Sequence, residues 1–195
     1  MITASELREI MPYAGARADV YCGPLNITCD EFAINTAARQ AAFIAQVAQE
    51  SGSLKYVREL ASGVAYEGRS DLGNTEPGDG VKFKGWGLMQ ITGRKNTRLV
   101  SLALFGDERL ITDSEMLIAP PDPLLAARAA GYFWQTGAGL NLSQHAHDHG
   151  VQNGCDLNDL ADADDFTGIT LAVNGGLNGL AARTAFWRIA KAILV

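Results

Sequence analysis

Residues 45–60 read AQVAQESGSLKYVREL, and their pattern decides how the chain folds. The first half closes an apolar run that begins near Asn35 and continues TAARQAAFIAQVAQE. Phe43 with Val47, and Ile44 with Ala48, stand at i,i+4 spacing and lay one apolar stripe along an α-helix. Ser51-Gly52 is the expected stop, because glycine takes the left-handed cap conformation without steric cost. Glu50 is then the last residue of a helix whose dipole presents partial negative charge there. That field and partial burial disfavour the charged carboxylate, which suits a general acid. Glu59 follows nine positions later (59 − 50 = 9), and a turn at Ser51-Gly52 is expected to carry it across a cleft from Glu50. Two carboxylates in unlike surroundings are the minimum requirement for hydrolysing a glycosidic bond. The plainer reading is a helix-end glutamate that caps its own surroundings and a glutamate on the surface.

Outward from this stretch, residues 62–85 are broken by Gly63, Gly68, Gly73, Pro77, Gly78, Gly80 and Gly85. They predict a long loop with at most a short hairpin leading into Gly85–Ile91. Structureless stretches of such length inside a compact domain are usually functional. The segment GWGLMQITGRKN (85–96) sets Gln90, Thr92 and Asn96 in apolar surroundings. In an extended segment Gln90 and Thr92 share a face, suited to bonding a sugar or a water molecule. In LAVNGG (171–176), Asn174 ends an apolar helix before two glycines.

The other helix signals are local. Thr3 and Glu6 form a capping-box pattern that opens a helix through about Met11. Residues 96–104 are expected to be helical. Asp122-Pro123 opens a helix through Trp134 that Gly137 closes. Asp165 caps FTGITLAVN, and Asn178 is expected to cap a last helix buried through Leu180, Phe186, Trp187, Ile189, Ala190 and Ile193. There is no internal repeat and no linker, so residues 1–195 are expected to form a single catalytic domain without a separate cell-wall-binding module.

Composition narrows the function. The 195 residues carry 16 Lys and Arg against 22 Asp and Glu, a net charge of −6, the wrong sign for binding nucleic acid through its phosphates. Mean hydropathy is +0.01, and no apolar run approaches the roughly 20 residues of a membrane span. Cys22, Cys29 and Cys155 fit either a reducing compartment or one optional Cys22–Cys29 bridge. His145, His147 and His149 read as part of a polar loop, with adventitious metal binding along an extended strand as the lesser reading.

The combination of QESGSLKYVRE, GWGLMQITGRKN and ITLAVNGGLNG resembles the family 19 glycoside hydrolase domain of phage and bacterial endolysins, relatives of plant chitinases. The likeness extends to LREIMPYAGARADVYCGPLN near the N-terminus. It implies a mainly α, lysozyme-like fold of two helical lobes around a central cleft, with at most a small β-hairpin. It further implies Glu50 as general acid, Glu59 as general base and Thr92 as a holder of the attacking water. Gln90, Asn96 and Asn174 would line the sugar cleft, while Arg94 would either touch substrate or support its loop. Family 19 enzymes invert the anomeric centre, so the carboxyls are expected roughly 6.5–9.5 Å apart, with room for water. Gln49, Thr97 and Asn178 depart from the family pattern, which has histidine, tyrosine and, in plant members, an acidic residue there.

The implied function is a peptidoglycan hydrolase, an endolysin cutting β-1,4 bonds between N-acetylmuramic acid and N-acetylglucosamine. A chitinase acting on N-acetylglucosamine polymers, a lytic transglycosylase and a non-catalytic glycan-binding domain are the alternatives. TGR after GLMQI, and the 37 positions from Glu50 to Gly87 (87 − 50 = 37), speak against the transglycosylase. No cofactor or metal is implied. The partners expected are peptidoglycan or chitin-like strands, for a monomer that enters neither nucleic-acid complexes nor the membrane. With no secretory signal in MITASELREI, synthesis in the cytoplasm is expected, with action on the cell wall or periplasm after release through a holin or secretion apparatus.

Overall fold

The computed structural model describes residues 1–113, 115–118, 122–136 and 143–195. Helix α1 (Ala4–Ile10) opens on a complete capping box between Thr3 and Glu6. It leads into α2 (Arg17–Glu31), then α3 (Ala37–Glu50), capped by the Thr36 side chain. Two single 3-10 turns, Val64–Tyr66 and Ser70–Leu72, and the short α4 (Asp79–Lys82) follow in the glycine-rich stretch. Next come α5 (Arg94–Phe105), α6 (Arg109–Thr112), α7 (Glu115–Ile118) and α8 (Pro123–Thr136). The chain finishes with α9 (Gln144–Asp148), α10 (Leu157–Asp162), α11 (Phe166–Asn174) and α12 (Leu180–Ile193).

The fold is mainly α, as the sequence implies. Among the described residues the expected hairpin reduces to isolated antiparallel bridges, Arg58 with Trp86 and Trp86 with Ile91. Among the described residues no helix is long and apolar enough to cross a membrane.

Helix α3 is the central element: Ala41 through Ala48 are all buried, and α12 packs along it. Helices α2 and α8 form a second close pair. Their approach depends on Gly131, where an added Cβ would lie 2.3 Å from the Phe32 ring and 2.5 Å from Thr28. Trp134, fully buried on α8, meets Phe43 edge-on at 5.3 Å and donates its indole N–H to Asn158 at 2.9 Å. Asn158 in turn donates to the Phe32 carbonyl, whereas the buried Thr28 hydroxyl beside Gly131 has no hydrogen-bond partner among the described residues.

Several sequence expectations need correction. Helix α2 carries Gly23 and Pro24 and was not foreseen. Its inward residues Ala18, Tyr21, Leu25, Thr28 and Cys29 keep helical spacing, but apolar Val20 and Ile27 face solvent and blur the stripe. Cys22 and Cys29 are free thiols two turns apart on that helix, a rise of roughly 10 Å that forbids a bridge. The histidines lie on and beside helical α9, not on a strand or loop. His147 contacts the Val151 carbonyl, His149 contacts Asp165, and no metal-holding cluster exists among the described residues. Asn178 does not cap α12: left-handed Gly179 takes that position, without a side-chain cap. Ile189 is exposed, and Arg183 occupies the buried face instead. Asp122 bonds the amides of Leu124 and Leu125 as expected. Gly137, the expected stop of α8, lies outside the described residues.

Candidate active site

Glu50 is the last residue of α3, and the next few residues turn the chain back on itself. Gly52, Ser53 and Leu54 adopt φ of 55°, 61° and 65°. Left-handed backbone costs a non-glycine residue about 1–2 kcal/mol, so Ser53 and Leu54 need compensation. The Ser53 amide bonds the Ala48 carbonyl at 2.8 Å, and the Leu54 amide bonds the Ser51 hydroxyl at 2.8 Å. Leu54 itself is buried in the core. The amides of Lys55 and Tyr56 both reach the Ser51 carbonyl.

After this turn the chain runs beside residues 85–87. The Gly87 amide donates to the Val57 carbonyl at 2.9 Å, and the Glu59 amide to the Gly85 carbonyl at 2.8 Å. The Glu59 carboxylate is held at both oxygens: Tyr66 donates its hydroxyl to Oε1 at 3.0 Å, and the Gly85 amide donates to Oε2 at 2.9 Å. Glycine at residue 85 lets the Glu59 and Gln90 side chains close on it without shifting. A Cβ there would stand 2.7 Å from Gln90 Oε1 and 3.3 Å from Glu59 Oε2. Burial pushes the Tyr66 hydroxyl above its ordinary pKa, and the hydrogen bond to Glu59 and its charge add to that rise.

Glu50, Gln90, Thr92 and Asn96 line one cavity of about 230 Å3 whose other walls are largely apolar, Met89, Ile91, Val100 and Phe133 among them. Gln90 sits at φ 53° and donates to the carbonyls of Tyr56 and Gly87. Thr92 donates to the Gln90 carbonyl at 3.0 Å, and Asn96 to the Thr92 carbonyl at 2.9 Å. The segment thus folds into a tight turn rather than the extended strand its alternation suggests.

Three expected site residues lie outside this cavity wall. Glu59 adjoins it through the Gly85–Gln90 contact. Asn174 ends α11 and donates to the Gly176 carbonyl, leaving Val173 on the wall. Arg94 supports its loop: it pairs with Asp79 through bonds of 2.8 and 2.6 Å, and its amide donates to Asn74. Burial by itself raises the Asp79 pKa, but the Arg94 hydrogen bonds, the Glu76 amide and the Arg94 charge outweigh it, and the carboxyl lies below its ordinary value. Asn74, fully buried, also donates to the Tyr66 carbonyl at 2.9 Å. A chain of contacts therefore runs Asp79–Arg94–Asn74–Tyr66–Glu59.

Two contributors escaped sequence reading. One is Tyr66. The other is Arg183 of α12, whose side chain is only 4% exposed and donates to Glu50 Oε1 at 2.5 Å. The same guanidinium bonds Gln46 Oε1, and Gln46 reaches Thr170 at 3.1 Å. Arg183 sets a positive charge beside Glu50, so the expectation that its surroundings disfavour the charged form is corrected: the negative helix-end field is opposed by a paired cation. The sequence carried no signal that set it apart from Arg188 and Lys191 on the same helix.

No protein-family model matches the chain. Its fold matches solved structures over 99% of its length. One is a bacterial family 19 chitinase, with a TM-score of 0.73, 19% identity and 94% of that chain covered. The chain has the family 19 chitinase fold. A second match is chitinase C from Streptomyces griseus HUT6037, with a TM-score of 0.72, 18% identity and 92% of that chain covered. A third, a chitinase C variant with one glutamate changed to glutamine, gives a TM-score of 0.71 at 18% identity, with 76% of that chain covered.

These likenesses overturn the expected peptidoglycan substrate, since all three proteins are chitinases. The features that had favoured an endolysin were the short Glu50–Glu59 connection and the N-terminal region. Both fall within the stretch that a bacterial chitinase fold accommodates, so neither discriminates the sugar. The chitinase alternative is the reading they support.

Proposed function

We propose that the chain is a glycoside hydrolase of the chitinase type, cutting β-1,4 bonds between N-acetylglucosamine units with inversion. One observation carries this reading: Glu50 lines a cavity with Gln90, Thr92 and Asn96, and a second, hydrogen-bonded carboxylate adjoins it across Gly85.

In the proposed reaction Glu50 gives its proton to the glycosidic oxygen as the bond to the anomeric carbon breaks. Glu59 takes a proton from a water held with the help of Thr92. The water oxygen attacks the anomeric carbon from the opposite face, which inverts it. Tyr66 and the Gly85 amide fix the direction in which Glu59 accepts that proton. Arg183 holds Glu50 and balances the charge left on it once the proton has gone. Gln90 and Asn96 are the groups placed to bond the sugar.

The test is hydrolysis of an N-acetylglucosamine hexamer, with the anomer first released read by NMR. The wild type is expected to release the α-anomer, and Glu50→Gln and Glu59→Gln to lose about a hundredfold or more in rate, the scale of acid–base catalysis. Near-normal turnover by Glu59→Gln would remove its role as base. No turnover of chitin substrates by the wild type would overturn the substrate assignment.

A further inference from the structure

A second groove, of about 580 Å3, passes the same end of α3 and shares no wall residue with the Glu50 cavity. Tyr13, Arg17, Gln49, Lys55, Tyr56 and Phe186 line it, and no aspartate or glutamate does. Tyr13 is 83% exposed.

Nine of the sixteen Lys and Arg residues pair with a carboxylate. Among the described residues Arg17 and Lys55 are two of the seven that do not. Arg17 bonds only the Tyr13 carbonyl, and its Nε is buried without a partner. Lys55 rests over the Tyr56 ring with its nitrogen 4.9 Å from the centroid. On a molecule of net charge −6, two cations without carboxylates converge on one groove beside three aromatic rings.

We propose that this groove binds an acidic carbohydrate, a glycan whose sugars carry carboxylate groups. The exposed Tyr13 ring, with half-buried Tyr56 and Phe186 beside it, matches the apolar C–H faces of sugar rings, and the cations match the acid groups by charge-assisted hydrogen bonds. A neutral chitin chain would bring neither cation a carboxylate. A polyanion without sugar rings would leave the aromatic faces unused. This inference concerns binding alone and stands independently of the proposed hydrolysis.

The test is NMR titration of the whole protein with a galacturonate hexamer at about 150 mM salt, where loose long-range attraction is screened. Saturable shifts at Tyr13, Tyr56 and Phe186 are expected. Arg17→Gln with Lys55→Gln should weaken affinity about tenfold or more, as loss of two charge-assisted contacts implies. Should that double variant unfold, Tyr13→Ala alters a side chain already in solvent and should also weaken binding. No saturation by the hexamer, equal affinity for the neutral N-acetylglucosamine hexamer at these resonances, equal affinity for polyphosphate, or unchanged affinity in the folded variants would each overturn the proposal.

Discussion

Replacing Arg183 by methionine isolates the contact that holds Glu50. The guanidinium is 4% exposed and the Glu50 side chain 20%, so the pair is largely shielded from solvent. Methionine fills most of the volume but removes donors to Glu50, to Gln46 and to the Asn178 carbonyl. Breaking one side of a buried pair costs about 3–5 kcal/mol, because the stranded charge stays behind. Partial access of water to Glu50 places the expected loss near the lower end, about 3 kcal/mol. For a chain of this length that corresponds to a fall in Tm of roughly 6–12 °C. Thermal unfolding followed by circular dichroism measures it, and a double-mutant cycle assigns it. Glu50→Gln removes the charge that Arg183→Met strands, so the double variant should be more stable than the sum of the singles by about 1 kcal/mol or more. Strict additivity would refute the idea that Arg183 stabilises the molecule by answering the Glu50 charge.

Two other outcomes follow from the same contacts. Tyr66→Phe removes the hydroxyl on Glu59 Oε1; a hydrogen bond to a charged group is worth about 1.5–3 kcal/mol, so kcat should fall about tenfold or more with little change in KM, and an unchanged kcat would show that Tyr66 does not position Glu59. The Asp79 carboxyl lies below its ordinary value of 3.8 in the folded protein, so its contribution to stability is present above that value and is lost as pH falls through the folded one. Chemical denaturation of Asp79→Asn beside the wild type should show a gap that is largest near about pH 7 and narrows towards about pH 2; a gap independent of pH would refute the linkage.

Much of the architecture was legible because helix ends are written within four residues. The Thr3–Glu6 capping box, Asp122 ahead of Pro123 and Asp165 ahead of Phe166 all sit where their patterns put them. The position of Glu50 followed equally from a stripe and a stop. Where two local signals conflicted, reading failed. Helix α2 combines an inward stripe with outward Val20 and Ile27 and an internal Pro24, a residue of low helix propensity, and it packs closely on α8. The histidine triplet reads as a polar loop, yet Ser143 caps it as a helix.

By itself, then, the sequence determined which carboxylate ends the central helix, that a turn follows it, and that the polar side chains Gln90, Thr92 and Asn96 stand together in one short segment. Those are consequences of periodicity and of hydrogen bonds spanning a few residues. Tertiary structure decided which partners those groups meet. Arg183 stands 133 positions from the glutamate it holds, and Gln46 lies 124 from Thr170. Arg94 turned out to brace the loop against Asp79 rather than face the cavity. Such pairings arise only when separate helices dock, because a buried charge or polar atom must find its complement across the core wherever in the chain that complement lies.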